Sequence, residues 1–152
     1  MNNLRQDIIQ QIKAYFDIEE LVCKHTYDKF RENSWQFLDT DFLHALLVIR
    51  RDILGKPMYC NNYSLGTMQR GLRCNMCDLV KSKSSVYLSA HIQGKAGDFT
   101  VSGMTAHDAR MKIIESQHIL PCPIRMEDEV GWLHFDTRST DGSNALVTLF
   151  KG

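Results

Sequence analysis

Apolar residues in the N-terminal part of the chain follow the period of an α-helix. They recur every three or four positions over residues 2–15 and again over residues 39–55. This spacing places them on one face of a helix, so both segments are predicted to be amphipathic helices packed against a core. The second helix has the clearer bounds, because Asp39 or Thr40 can cap its start and Gly55 can end it.

Two shorter helices are predicted from their capping residues. Asp17 can cap a helix that runs to Val22, with acidic residues in its first turn, where the helix dipole favours them. Thr105 can cap a helix that continues to Ile114, with Asp108 placed to complete a capping-box arrangement.

Short segments of β-strand character dominate the second half of the chain. The predicted strands are residues 57–63, 84–88 and 98–101, followed by a final hairpin of residues 131–138 and 144–150 that turns at Asp141-Gly142-Ser143. Residues 64–83 form a long loop with one helical turn, and such loops inside compact domains are often functional.

Together these elements predict an α+β fold. Helices are expected to pack on one side of a small, mainly antiparallel sheet. The length of 152 residues suits one domain with a single core. Residues 1–15 are expected to be a helical appendage packed on a domain formed by residues 16–152.

The charge balance does not favour a polyanionic partner. Eighteen basic and eighteen acidic residues give a formal net charge of zero, which argues against nucleic acid or an anionic membrane. The N-terminus lacks the basic patch and apolar run of a secretion signal, and no apolar run approaches a membrane span. We expect a chain that is cytoplasmic as synthesised, and that another component must release if its substrate lies outside.

The five cysteines do not suggest a disulfide framework, because their number is odd and the chain is long enough to fold without cross-links. Cys74 and Cys77 form a C-x-x-C motif, which is typical of zinc or redox sites. The sequence shows no second C-x-x-C and no histidine pair at matching spacing. The motif is therefore interpreted as a coincidence of spacing, with a thiol redox protein as a remaining alternative.

A histidine-bearing strand near the C-terminus presents the first candidate chemistry. The period of two places Trp132, His134 and Asp136 on one face and Leu133 and Phe135 on the other. The second pair is expected to face the core, which leaves His134 on a polar surface.

Two further metal-ligating residues lie upstream, on either side of a glycine. Gly94 can form the tight bend that brings His91 and Asp98 to one point. With His134 they supply three ligands, the number that a catalytic zinc ion takes when one position stays open. Spacing alone leaves a chance arrangement open, because a chain with six histidines often shows some regular spacing.

The pattern Ser89-x-His91-x-x-Gly94-x-Ala96-x-Asp98, followed by Trp132-x-His134-x-Asp136, resembles a known signature. It is similar to that of the zinc D-alanyl-D-alanine carboxypeptidases and phage L-alanyl-D-glutamate endopeptidases, peptidoglycan peptidases whose metal centre is shared with hedgehog domains. The resemblance extends over residues 16–150, since residues 38–57 also look like the family's first core helix and the Gly-Lys-Pro after it. It implies a hedgehog-like fold and zinc ligands at His91, Asp98 and His134.

The resemblance also implies a catalytic arginine, and the positions of Ser89 and Trp132 beside the predicted ligands make these two the candidate substrate-binding residues. The family has a Ser-Gly-aromatic-Arg motif, to which Arg70-Gly71-Leu72-Arg73 is similar, so Arg73 would stabilise the oxyanion. A solvated loop arginine is the alternative. Ser89 is expected to form hydrogen bonds near the turn. Trp132 is expected either to line the cleft or to pack under residues 64–83.

The general base is the position at which the resemblance is least complete. Many members place an acid three residues before the last histidine, and this chain has Gly131 there. Hedgehog-type members place the acid six residues before it, which here is Asp128. Glu127, Glu129 and Asp136 are the alternatives for the carboxylate that accepts a proton from water.

The resemblance therefore implies zinc-dependent hydrolysis of an amide bond in a peptidoglycan stem peptide. The enzyme would be a carboxypeptidase or an endolysin-type endopeptidase, such as a phage or prophage product that reaches the cell wall. Gly131 leaves a second hypothesis open, in which the chain is an inactive zinc-containing module of the wall-binding or virion structural kind. The remaining histidines are predicted to be surface or structural residues: His25, His44, His107 and His118.

Overall fold

The computed structural model describes residues 3–139 and 145–152, and its helices lie mostly in the first half of the chain. The α-helices are α1 (Leu4–Ile12), α2 (Ile18–Leu21), α3 (Lys24–Phe30), α4 (Thr40–Val48), α5 (Asp78–Lys81) and α6 (Ala106–Glu115). A 3-10 helix (Arg31–Phe37) precedes α4, and a π-helical segment (Ile49–Leu54) extends it. Across the described residues, no helix combines the length and apolar character that crossing a membrane requires.

The strands form one small mixed sheet. They are β1 (Met58–Tyr59), β2 (Ala96–Val101), β3 (Ile124–Glu127), β4 (Leu133–Asp136) and β5 (Val147–Phe150). Their order is β1-β2-β4-β3-β5, with antiparallel pairing throughout except for the parallel pair of β3 and β5. The predicted α+β class is confirmed, and so is the prediction that most of the pairing is antiparallel.

The helix α4 lies at the centre of the hydrophobic core. Asp39 caps its N-terminus by accepting the backbone N–H of Phe42 at 3.1 Å. Gly55 ends the π-helical extension in a left-handed conformation, with φ of 60°. Phe42 stacks on Phe135 of β4 with ring centroids 5.2 Å apart, which joins the helices to the sheet. The predicted helix over residues 39–55 is confirmed.

The N-terminal helix α1 packs directly on α4. Ile8 and Ile12 are buried in the same hydrophobic cluster as Phe42. The guanidinium of Arg5 donates hydrogen bonds to the carbonyl oxygens of Trp35 and Leu38, at 2.7 and 2.9 Å. The predicted amphipathic helix is therefore present, and both apolar burial and polar contacts hold it on the rest of the chain.

The predicted C-terminal hairpin is wrong. β4 lies between β2 and β3, and β5 pairs with β3 instead of with β4. The sequence prediction missed β3, which begins directly after Pro123 and buries Ile124 and Met126 completely. Because β3 occupies the edge of β4, β5 cannot pair with β4 and adds instead to the outer edge of β3. The predicted turn Asp141-Gly142-Ser143 lies outside the described residues.

The predicted strand over residues 84–88 is also wrong. A strand requires a hydrogen-bonded neighbour, and among the described residues this segment pairs with none. Its apolar side chains are not buried either, since Val86 and Leu88 are 87% and 60% exposed. The strand predicted over residues 98–101 is confirmed within β2, whereas the one over residues 57–63 is reduced to β1.

The two faces of the sheet differ in chemical character. The face towards the helices is apolar and carries the buried residues Phe99, Ile124, Met126, Leu133 and Phe135. The alternate positions, which point to the opposite face, carry Asp98, Arg125, Glu127, His134 and Asp136. The candidate site lies on this polar face.

Candidate metal centre

The polar face of β2 and β4 positions two of the three predicted ligands. Asp98 and His134 are direct partners in the antiparallel register, so their side chains leave the sheet side by side. Both are almost fully buried, at 9% and 6% relative exposure. Leu133 and Phe135 face the core, as the period of two predicts.

A tight turn before β2 supplies the third predicted ligand, His91. The turn depends on Gly94, which has φ of 68° and whose missing Cβ would collide with the carbonyl oxygen of Phe37. The backbone N–H of Asp39 donates to the carbonyl of Gly94 at 2.9 Å and so ties the turn to the start of α4. The predicted role of Gly94 in bringing His91 towards Asp98 is confirmed.

The donor atoms of the three residues converge. Nε2 of His91 lies 3.4 Å from Oδ2 of Asp98, and Nδ1 of His134 lies 2.7 Å from Oδ1 of Asp98. One nitrogen from each ring and a carboxylate oxygen all lie within 4.8 Å of one another, a spacing that could hold a metal ion. The structure therefore brings together all three residues that the sequence predicted as ligands.

Each of the two rings has a hydrogen-bond acceptor at the nitrogen that points away from Asp98. Nδ1 of His91 lies 2.9 Å from the carbonyl oxygen of Gly71, and Nε2 of His134 lies 2.9 Å from Oδ2 of Asp136. Each ring thus has an acceptor at one nitrogen and Asp98 at the other. A neutral imidazole has only one N–H, and when the acceptor takes it, the nitrogen that faces Asp98 keeps a lone pair that can bind a metal ion. The donor set therefore fits a metal ion.

The titration behaviour of the metal-free site reflects the same arrangement. Burial raises the pKa of Asp98, but hydrogen bonds with His134 and His91 outweigh this effect and hold the pKa well below its ordinary value. Burial lowers the pKa of His134, but the carboxylates of Asp136 and Asp98 outweigh it and raise the pKa to about 9. Without a metal ion, the ring of His134 is protonated at neutral pH.

Asp136 braces His134 from behind. Its carboxylate is fully buried, contacts Nε2 of His134 and accepts two hydrogen bonds from the guanidinium of Arg125, at 2.8 and 2.9 Å. Burial raises the pKa of Asp136, but hydrogen bonds with His134 and Arg125 outweigh this effect and lower the pKa below its ordinary value, so the carboxylate stays ionised. A carboxylate in this position fixes the ring orientation and leaves Nδ1 of His134 directed at the ligand group.

The remaining predicted site residues divide into those that line the cleft and one that does not. Arg73, Ser89 and Trp132 line the same open cleft as the three ligands. Nη2 of Arg73 lies 3.5 Å from Oδ2 of Asp98, and its side chain is only 12% exposed, so it is not a solvated loop arginine. Trp132 is 41% exposed.

Asp128 is not brought to the ligand group. Its Oδ1 lies 3.6 Å from Nε of Arg110 on α6, and it is not among the residues that line the cleft. Glu129 is also directed elsewhere, because its carboxylate pairs with Lys151 at 2.8 Å. Glu127, at the end of β3, does line the cleft. Of the three consecutive acidic residues, Glu127 alone presents its side chain on the polar face beside His134.

The structure also assembles a second donor group that sequence reasoning missed. Cys23, His25, Cys74 and Cys77 each offer one atom, and these atoms lie within 4.8 Å of one another. The C-x-x-C motif was a signal for half of this group. The other half is a Cys-x-His pair far away in the chain, and no local spacing connects the two. His25, predicted to be a surface or structural residue, belongs to this group.

Comparisons of the chain with protein-family models, with curated proteins and with solved structures give no match.

Proposed function

We propose that this chain is a zinc-dependent peptidase that hydrolyses an amide bond in peptidoglycan stem peptides. The observation that carries the proposal is the convergence of His91 Nε2, Asp98 and His134 Nδ1 beside an open cleft. The hedgehog-like zinc centre and the peptidoglycan substrate rest on the sequence resemblance, and the geometry is compatible with both.

The donor set suits zinc in a catalytic site. Two imidazole nitrogens and one carboxylate oxygen are ligands that zinc accepts, and three protein ligands leave a position for water or substrate. When bound, zinc supplies Lewis-acid polarisation of a carbonyl group and lowers the pKa of water. The hydrogen bonds to Gly71 and Asp136 hold the two rings so that the ligating nitrogens face Asp98.

Arg73 is the residue proposed to stabilise negative charge on the scissile carbonyl oxygen. Its Nε donates to the carbonyl of Gln69 at 2.6 Å, which fixes the side chain, while Nη2 reaches towards Asp98. A guanidinium fixed before the reaction begins needs little reorganisation in the transition state, and this gives an oxyanion-stabilising group its effect.

Glu127 is the carboxylate proposed to accept a proton from the attacking water and return it to the leaving amine. It points from β3 to the same face as His134 and lines the cleft, whereas Asp128 is paired with Arg110. A general base has to reach the reacting proton directly or through one water, so position in the cleft comes before any other criterion.

The cleft walls are suited to a short peptide that carries carboxylates. Trp132 offers an aromatic surface at the cleft, and Arg138 adds a cationic side chain there. Ser89 lines the cleft near the turn that carries His91. Stem peptides contain free carboxylates, which pair well with guanidinium groups.

The test is to incubate the purified, zinc-loaded protein with peptidoglycan and with isolated stem peptides, and to identify products by mass spectrometry. We expect release of D-alanine or of stem-peptide fragments, lost in His134→Ala. His107→Ala is the matched control, since His107 is an exposed histidine on α6. If zinc binds at His91, Asp98 and His134 but no cleavage is detected, the result favours the second hypothesis, the inactive zinc-containing module that Gly131 suggests. No zinc at these residues would overturn both.

A further inference from the structure

A group of three thiols and one imidazole lies outside the cleft, where two distant parts of the chain meet. Sγ of Cys74 lies 3.7 Å from Nδ1 of His25, and Sγ of Cys77 lies 3.9 Å from the same nitrogen. Sγ of Cys23 completes the group, and all four donor atoms lie within 4.8 Å of one another. Cys23 and Cys77 are buried, while the imidazole of His25 approaches from the surface.

The distances match those between the ligands of one tetrahedral zinc ion. Zinc binds thiolate sulfur at about 2.3 Å and imidazole nitrogen at about 2.0 Å, so two such ligands at tetrahedral corners lie roughly 3.6 Å apart. The two sulfur–nitrogen distances are close to this value. The backbone N–H of Met76 also donates a hydrogen bond to Sγ of Cys74 at 3.4 Å, which helps to fix this sulfur within the group.

We propose that Cys23, His25, Cys74 and Cys77 bind a structural zinc ion. Four protein ligands close the coordination sphere, which distinguishes such a site from the three-ligand group beside the cleft. A redox pair needs only the two cysteines of the C-x-x-C motif. Cys23 and the imidazole of His25 would have no role in a redox pair formed by Cys74 and Cys77. A structural zinc ion, in contrast, uses all four donors.

The zinc ion would hold a segment that the hydrophobic core holds only weakly. Between residues 64 and 83, Leu72 and Cys77 are the buried apolar side chains. The segment is joined to the N-terminal region by backbone hydrogen bonds from Cys23 to Leu72 and from Leu72 to Leu21, both at 2.9 Å. A metal ion bound by Cys23, His25, Cys74 and Cys77 would lock the same two segments together by coordination.

This segment also carries two groups that contact the cleft. The carbonyl of Gly71 accepts from Nδ1 of His91, and Arg73 reaches both the backbone of His91 and the carboxylate of Asp98. The structural zinc ion would therefore help to position one wall of the cleft. Its presence does not depend on what the cleft hydrolyses.

The first test counts zinc in the full-length protein by elemental analysis. With both sites loaded, we expect two zinc ions per chain. Cys77→Ser should keep only the zinc ion of the cleft, and His134→Ala should keep only the structural zinc ion. Cys122→Ser is the control, because Cys122 lies outside the group.

Cobalt substitution should give a sulfur-to-cobalt charge-transfer band that His134→Ala retains and Cys77→Ser loses. If the cleft site alone fails, one zinc remains and depends on Cys77; zinc content unchanged in Cys77→Ser overturns the structural site.

The second test uses the unmodified chain, so that it does not depend on a variant that folds. A mercurial reagent is titrated onto the thiols while a chromogenic chelator reports free zinc. We expect one zinc ion to be released as the thiols of Cys23, Cys74 and Cys77 react, because the cleft ligands contain no sulfur. Reaction of all five cysteines with no release of zinc would overturn the proposal.

Discussion

His134 and Asp98 are direct cross-strand partners, and Nδ1 of His134 lies 2.7 Å from Oδ1 of Asp98. The register of β2 and β4 thus sets the geometry of the candidate metal centre. A slip of one residue would turn the side chain of His134 to the apolar face and that of Phe135 to the cleft. Because Phe135 stacks on both Phe42 and Phe99, packing in the core holds the ligands on the other face in place.

Asp136→Asn should weaken zinc binding at His134 without unfolding the chain. The amide cannot supply the negative charge that holds the His134 ring and pairs with Arg125. Loss of a partner of this kind lowers metal affinity by about 10- to 100-fold. Competition with a chelator of known affinity measures the change. Asp108→Asn, an exposed carboxylate on α6, should leave the affinity unchanged.

Glu127→Gln should lower kcat on stem peptides by at least about 100-fold, because it removes the carboxylate proposed to move the proton. Zinc content should stay the same, since Glu127 is not one of the ligands. Asp128→Asn is the matched variant, and its kcat should stay close to that of the parent because Asp128 faces Arg110. A large loss of kcat in Asp128→Asn, with no loss in Glu127→Gln, would instead identify Asp128 as the general base, as the sequence alone predicted.

Zinc binding at the cleft should become stronger as pH rises towards about 9. The metal-free protein holds a proton on His134, whose pKa is raised to about 9, and the ion has to displace it. Below that pKa, the affinity for zinc increases about tenfold for each unit by which the pH rises, because binding releases one proton. Calorimetry in buffers of different ionisation enthalpy counts the released proton. Subtracting the titration of His134→Ala, which keeps the group of Cys23, His25, Cys74 and Cys77, isolates the cleft site, and an affinity independent of pH from 6 to 8 would contradict the assignment.

Gly94→Ala should destabilise the fold and displace His91. An alanine there adopts an unfavourable positive φ and places its Cβ against the carbonyl oxygen of Phe37. Gly103→Ala is the matched control, since Gly103 also has positive φ, of 66°, but has no atom within 4 Å of the added Cβ. We expect a loss of about 1 kcal/mol in free energy of unfolding for the control and roughly 3 kcal/mol or more for Gly94→Ala.

Chemical denaturation measures both variants, and elemental analysis reports zinc. Only Gly94→Ala should also lose cleft zinc, because the turn that presents His91 cannot close around the new side chain. Equal stability and equal zinc content in the two variants would show that the turn tolerates a Cβ and that His91 is held by other contacts.

The helices were predictable because their signals are local. The apolar period over residues 39–55, the cap at Asp39 and the end at Gly55 lie within one element, so no distant contact is needed to read them. Thr105 as the cap of α6 is a second example, with its Oγ1 accepting the N–H of Asp108 at 3.0 Å. The sheet was less predictable, because a strand is defined by its neighbour.

The sequence by itself determined which side of β4 carries His134, since alternation along a strand follows from backbone geometry. It also contained the pattern around His91, Gly94 and Asp98. The tertiary structure alone decided that β3 enters between β4 and β5, and that Glu127, not Asp128, lines the cleft. It also decided that Cys23 and His25 meet Cys74 and Cys77. These outcomes depend on strand order and on loop packing across the chain, and local residue patterns do not encode contacts between distant segments.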